Sequence, residues 1–147
     1  MAQEDTSSVP PESDPGVAGA TTVEIRTAAR AALIPTVRAV ASDLAARADF
    51  DLDAISDLRM AVDEACATLV GLAEPGSPLQ CTFDVHGDRI DVAARVHAGA
   101  GAELPDDSFG WRVLQTLADQ VAVETGTTDG GRSALTIRLH KLAGPGL

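Results

Sequence analysis

The sequence predicts an α+β fold, a two-layer α/β sandwich in which one mostly antiparallel sheet carries helices on one face. Short segments that alternate between apolar and polar residues indicate strands, and segments with apolar residues every three or four positions indicate helices. The segments follow one another in the order β-α-α-β-β-α-β-β. With 147 residues, 45% of them hydrophobic, the chain is long enough for one domain with a core.

The composition divides the chain into three parts. Residues 1–20 are rich in Pro, Ser and Gly and contain Glu4, Asp5, Glu12 and Asp14 but no basic residue. Such a segment buries too little apolar surface to offset the entropy lost on ordering, so we expect a disordered acidic tail. Residues 21–142 carry the periodic segments and form the predicted domain, and residues 143–147 are expected to fray.

The first half of the domain contains one strand and two helices. Thr22–Arg26 alternates as a strand, and Leu33–Leu44 has helical spacing with Pro35 in the first turn, where proline is tolerated. The second helix has the clearest pattern. Its apolar positions are Ile55, Leu58, Val62, Ala65, Leu69 and Leu72. Asp51 or Asp53 is suited to cap its start, and Pro75-Gly76 ends it.

The second half begins with a hairpin. Leu79–Val85 and Ile90–Val96 alternate on either side of His86-Gly-Asp88. A glycine-bearing loop over 97–107 follows, and then a helix from near Ser108. Val121 and Val123 open a strand, Thr125–Ser133 is predicted to be a polar loop, and the last strand contains Leu135, Ile137 and Leu139.

Charge and composition exclude several classes of function. The net charge is −11 and aromatic residues make up only 3%, which argues against binding nucleic acid directly or an anionic membrane surface. No stretch approaches the roughly 18 apolar residues of a membrane span, and no signal peptide precedes the domain, so we expect a cytoplasmic protein. Cys66 and Cys81 lie in apolar segments without zinc-ligand spacing, which indicates buried thiols.

Three polar residues lie beside the apolar stripe of the second helix. At about 100° per residue, Asp57, Glu64 and Thr68 fall on one side, and Glu64 and Thr68 are i,i+4 neighbours. A glutamate beside the core and near a glycine-rich loop can act as a general base or orient a water molecule. The solvated acidic flank of an amphipathic helix has the same pattern, so the spacing alone leaves both interpretations open.

The segment Leu58-Arg-Met-Ala-Val-Asp-Glu64-Ala-Cys-Ala-Thr68 resembles the N-box helix of the GHKL ATPase superfamily. More narrowly, it is similar to the RsbW-type anti-sigma factors, whose helix reads roughly L-x-x-A-V-x-E-A-x-x-N. The direct matches are Leu58, Ala61, Val62, Glu64 and Ala65. The resemblance continues through the hairpin, the glycine loop, the third helix and the closing strands, over about residues 21–142. It implies the Bergerat (histidine-kinase-like ATPase) fold, with ATP and Mg²⁺ as cofactors.

The resemblance assigns roles to two residues of the second helix. Glu64 stands where the family has the base for phosphoryl transfer. Thr68 stands where the family has the asparagine that ligates Mg²⁺, and its hydroxyl is shorter than that amide.

The other implied nucleotide positions follow the hairpin. In His97-Ala-Gly99-Ala-Gly101, aligned with D-x-G-x-G, the glycines are kept, but His97 replaces the aspartate that reads adenine. In Ser108-Phe-Gly110-Trp-Arg112 one phosphate-loop glycine remains, and Arg112 is a candidate to neutralise a phosphate. Phe109 and Trp111 are interpreted as core or interface anchors rather than cofactor stackers. Together these changes argue against tight Mg²⁺-dependent ATP binding.

The resemblance implies a binding module. The chain is predicted to be an anti-sigma factor that sequesters an RNA polymerase sigma factor, is released by a STAS-type anti-anti-sigma protein and forms a homodimer. Arg30 and Arg38, near the first helix, are candidate sigma contacts. One alternative is an active ATP-dependent serine kinase that phosphorylates the STAS protein, with Glu64 as base and Thr68 as Mg²⁺ ligand. A second alternative is a degenerate ATP-binding domain with an unrelated partner.

Overall fold

The computed structural model describes residues 21–104, 107–128 and 130–145. The predicted tail over residues 1–20 lies outside this part of the chain, as do residues 146–147. The predicted order of strands and helices is confirmed. The elements are β1 (Thr21–Ala28), α1 (Ile34–Arg47), α2 (Leu52–Leu72), β2 (Pro78–Val85), β3 (Arg89–His97), α3 (Phe109–Leu117), β4 (Gln120–Thr127) and β5 (Ser133–Leu142). A single 3-10 turn, Ala31–Leu33, leads into α1 and was not predicted.

The five strands form one sheet in the order β1-β2-β3-β5-β4, with every neighbouring pair antiparallel. Side chains alternate between the two faces, because successive residues of a strand point in opposite directions. In β3 the residues Ile90, Val92, Ala94 and Val96 are buried beneath the helices. The intervening residues face the other side of the sheet, which no described helix covers. The predicted α+β sandwich is therefore confirmed.

The core lies between the sheet and α2. Leu58 and Leu69 from α2 and Phe83 from β2 have no exposed surface. Burying a side chain of this size stabilises the fold by roughly 1.5–3 kcal/mol relative to leaving it exposed. Both α1 and α3 pack against α2. Functional side chains on α2 are therefore held on a rigid element.

The ends of the elements follow from local chemistry. Asp51 is the N-cap of α2, because its Oδ1 accepts a hydrogen bond from the Ala54 N–H at 2.8 Å. Pro35 lies in the first turn of α1, as expected. Ala143, placed in the predicted frayed end, is held by two backbone bonds. Its N–H donates to Asp88 and its carbonyl accepts from Asp51.

The predicted loop over Thr125–Ser133 is too long. β4 continues to Thr127, and Thr125, Gly126 and Thr127 pair with Leu135, Ala134 and Ser133. Strand pairing is made by the main chain, so polar side chains on a partly exposed edge strand do not prevent it. Among the described helices, none is long and apolar enough to cross a membrane.

Candidate functional site

The predicted pair on α2 is in contact. Thr68 Oγ1 donates a hydrogen bond to Glu64 Oε2 at 3.2 Å, and both side chains are half-buried. The start of α3 packs directly onto this pair. A Cβ added to Gly110 would overlap Glu64 Oε2 and would lie 3.7 Å from Thr68 Oγ1. Gly110 is therefore a close-approach glycine, because any larger residue requires either α3 or the Glu64 side chain to move.

The first turn of α3 is built by Ser108. The Ser108 Oγ accepts from the Trp111 N–H at 3.1 Å and caps the helix. The carboxylate of Glu64 lies beside this positive end of the helix dipole, where negative charge is favourable. Trp111 packs against the core, whereas Phe109 is 80% exposed and so is not a core residue. Arg112 is exposed and makes no ion pair with the described residues.

His97 lies apart from this contact. Its neighbours Val96 and Ala98 are buried in the core, which puts the His97 side chain on the opposite face of β3. There it lines a cavity together with Arg26 and Arg95. Its Nδ1 is buried and has no hydrogen-bond partner among the described residues. The structure therefore does not bring His97 together with Glu64.

The loop glycines form a third group. Gly101 adopts a φ of +82°, which favours glycine, and the carbonyl of Gly99 accepts from the Ala102 N–H at 2.9 Å. Both glycines line a cavity of about 350 Å³ beside the ends of β4 and β5. The predicted nucleotide positions are thus spread over three places, and only Glu64, Thr68 and Gly110 are in mutual contact.

The contacts around Glu64 determine whether ATP and Mg²⁺ fit between α2 and α3. The Thr68 hydroxyl already donates to Glu64, and the Gly110 backbone approaches the Glu64 carboxylate so closely that an added Cβ would overlap it. The residues therefore do not fit a Mg²⁺-nucleotide bridged between α2 and α3 in this arrangement. In the described part of the chain, no group of three His, Cys, Asp or Glu residues is arranged to hold a metal ion.

Asp57, predicted on the same side of α2, has a different role. Lys141, the only lysine in the chain, is nearly buried and donates to Asp57 Oδ2 at 3.3 Å and to the Leu117 carbonyl at 3.1 Å. Asp119 Oδ2 lies 3.8 Å from the same ammonium. One side chain thus joins α2, the end of α3 and β5. The only sequence signal for this cluster was that the chain has a single lysine.

Two further pairs lie around α2. Cys66 Sγ and Cys81 Sγ are 3.8 Å apart and fully buried between α2 and β2. The hydrogen bond to Cys81, together with burial, raises the pKa of the Cys66 thiol far above its usual range. Arg38 on α1 donates to both oxygens of Asp63, at 3.1 and 3.2 Å. The predicted sigma contact Arg38 is therefore partly engaged within the chain, whereas Arg30 is exposed.

A charged cluster lies at the far end of the open sheet face. Asp91 accepts from Arg89 Nε at 3.0 Å, contacts His140 Nδ1, and lies 3.2 Å from His86 Nε2. Burial alone raises the pKa of Asp91. The hydrogen bonds from His140 and Arg89 outweigh that effect and hold the pKa below its ordinary value.

Comparison with known proteins agrees with this architecture. The family model described as "Histidine kinase-like ATPase domain" matches residues 27–139. The chain is also similar to "Anti-sigma-F factor RsbW" from two strains of Mycobacterium tuberculosis, with 35% identity over 103 residues. That match covers 70% of this chain and 61% of each relative's length. The resemblance predicted from the α2 motif is thereby confirmed, and the chain belongs to the histidine kinase-like ATPase domain family.

Proposed function

We propose that this chain is an anti-sigma factor that holds an RNA polymerase sigma factor inactive and is released by a STAS-type anti-anti-sigma protein. The observation that carries the proposal is the 35% identity to proteins named as anti-sigma factors, which extends through the α2 motif. An acidic chain also suits the basic, DNA-facing surfaces of a sigma factor, since complementary charge raises the association rate. We further propose a homodimer on the same resemblance.

The contacts around Glu64 favour a module that works by binding rather than by catalysis. Phosphoryl transfer requires a positioned metal ion and nucleotide. In this chain the Thr68 hydroxyl and the Glu64 carboxylate bind each other, and Gly110 covers them. The histidine kinase-like ATPase family suggests nucleotide binding, but the side chains present support sigma binding that does not depend on it.

Sigma binding is tested by reconstitution. The purified chain is mixed with each sigma factor of the source cell, and complex formation and promoter-dependent transcription are measured with and without Mg²⁺-ATP. We expect one sigma factor to be bound and inhibited equally in both conditions, and the matching STAS protein to restore transcription. Failure to bind any sigma factor refutes the proposal. Inhibition that appears only with Mg²⁺-ATP refutes the proposal that sigma binding does not depend on nucleotide.

A charge-reversal pair tests the contact surface. Arg30 is exposed at the start of the first helical segment, and Arg47 is exposed at the end of α1. We expect Arg30→Glu to change sigma affinity at least fivefold, because it reverses a charge within the candidate contact, and the matched control Arg47→Glu to change it less than twofold. Equal effects of the two variants show that only net charge matters.

The alternative function, an active serine kinase, depends on Glu64 as its base. It is tested by measuring phosphate transfer from ATP to a serine-bearing STAS protein, with Glu64→Gln as the variant and Asp53→Asn as the control on the same helix. Transfer that is lost in Glu64→Gln and kept in the control establishes the kinase. We expect no transfer by the unmodified chain.

A further inference from the structure

The open face of the sheet carries several charged side chains. Its outward side chains form cross-strand rows, and in one row Arg26 of β1 lies opposite Gln80, which lies opposite Arg95 of β3. Two rows away, Asp84 of β2 lies opposite Asp91 of β3. One row of this face therefore carries two arginines, and the other carries two aspartates, of which Asp91 is paired with Arg89 and His140.

The basic end contains a cavity of about 430 Å³, which we call the arginine cavity. The residues that line it and carry the argument are Arg26, Gln80, Arg95, His97, Thr127 and Arg132. Among the described residues, none that lines it is acidic. A site of this kind is unexpected in a chain with a net charge of −11.

Two of the three guanidinium groups are not neutralised by a carboxylate of the described chain. Arg132 is paired with Glu74 Oε1 at 2.6 Å. Arg95 donates only to the neutral Gln80 Oε1, at 3.2 Å, and Arg26 makes no ion pair with the described residues. Within the described part of the chain, the charges of Arg26 and Arg95 and most of their hydrogen-bond donors are therefore left for an external anion.

We propose that the arginine cavity binds an acidic segment of a partner protein. Arg26 and Arg95 are two strand spacings apart, about 10 Å between their backbones. That distance corresponds to one turn of a polyproline II segment, about 9 Å over three residues, which places residues i and i+3 on the same side. A guanidinium binds a carboxylate through two parallel hydrogen bonds, so the two arginines suit two carboxylates at that spacing better than one small anion.

The arginine cavity is separate from the contact between α2 and α3. The sheet lies between them, since Glu64 is on a helix that covers the core face and the cavity opens on the other face. The proposal therefore does not rest on the anti-sigma function, and each can fail without the other.

The test uses the full chain and a fluorescein-labelled Gly-Ser peptide with two glutamates three residues apart. Binding is measured by fluorescence anisotropy at low and high salt. We expect the double variant Arg26→Gln/Arg95→Gln to weaken binding by about tenfold or more, the scale of losing two charge-assisted contacts. Arg26→Lys/Arg95→Lys keeps the charge without the paired donors, and we expect an intermediate loss.

The matched control is Arg47→Gln/Arg59→Gln, which removes the same charge from exposed positions of α1 and α2. We expect it to change peptide affinity less than twofold at equal salt. Circular dichroism melting checks that every variant folds. Undetectable peptide binding by the unmodified chain overturns the proposal, as does an equal loss of affinity in the control.

Other occupants give distinct results that also overturn it. Inorganic phosphate that displaces the peptide at equal concentration indicates a small-anion site. A single-stranded oligonucleotide that binds more tightly through the same arginines indicates a nucleic-acid surface. Tighter peptide binding after neutralising Glu4, Asp5, Glu12 and Asp14 in the full chain indicates that the chain's own acidic segment is the occupant.

Discussion

Replacing Gly110 with alanine tests the contact between α2 and α3 directly. Alanine is favoured over glycine in a helix by roughly 0.5–1 kcal/mol, with a smaller gain expected in the first turn. The new Cβ would overlap Glu64 Oε2, so the Glu64 side chain must swing away and its hydrogen bond from Thr68 is lost. A hydrogen bond of this type contributes about 0.5–1.5 kcal/mol. The two effects nearly cancel, and we expect Gly110→Ala to be neutral or mildly destabilising.

The same substitution in a Glu64→Ala background should give a different result. With the carboxylate gone, nothing opposes the helix preference, so Gly110→Ala is expected to stabilise the fold by about 0.5 kcal/mol. The double-mutant cycle then yields a coupling energy of about 1 kcal/mol between Gly110 and Glu64. Urea unfolding at 25 °C gives the four free energies, with fluorescence of the single tryptophan, Trp111, as one probe and circular dichroism as the other.

Gly71 supplies the control for this cycle. It lies in the last turn of α2, and a Cβ placed there meets nothing within 4 Å. Gly71→Ala should therefore stabilise the protein by up to about 1 kcal/mol in both backgrounds, without coupling to Glu64→Ala. A coupling energy between Gly110 and Glu64 below about 0.3 kcal/mol would refute the proposed contact, because that is the additivity error for distant sites.

Three further results are expected. Asp51→Ala removes the α2 cap and should lower the free energy of unfolding by about 1 kcal/mol. Asp53→Ala, two residues later and without a cap bond, should cost less in the same urea experiment. Because the pKa of Asp91 is lower in the folded than in the unfolded chain, its stabilisation is present above the unfolded value near 4 and is lost as pH falls through the folded value. Asp91→Asn should flatten this part of the stability profile, and an unchanged profile contradicts the assignment. Cys66 and Cys81 should react with a thiol reagent only at the rate of unfolding, and fast labelling of the native chain would show that they are accessible.

Local periodicity predicted the architecture well. The three-and-four spacing of α2 is unusually regular, and the hairpin strands alternate cleanly, so the element order could be obtained from the sequence. The contact between Glu64 and Thr68 was also predictable, because i,i+4 side chains are neighbours on any helix. Thr125 to Thr127 were missed as a strand because their side chains carry no apolar alternation.

The arrangement of the candidate site was less predictable. The family motif grouped His97 with Glu64, yet the alternation of Ile90, Val92, Ala94 and Val96 already places residue 97 on the other face of the strand. The cluster around Lys141 depends on how distant elements pack, and no local pattern encodes such contacts. The same holds for the close approach of Gly110 to Glu64, which requires the crossing position of α3.

The pairing of β1 with β2 has a consequence for the order in which the protein folds. β2 and β3 are joined by residues 86–88 alone, so their ladder forms between neighbours in the chain. β1 instead reaches across both α1 and α2, as in the bond from Thr22 to Asp84, 62 residues further on. Closing so long a loop costs entropy before the β1–β2 pairing can stabilise the chain. We therefore expect β1 to dock after the hairpin and α2 have formed. Substitutions in β1 will accordingly speed unfolding and leave the folding rate almost unchanged.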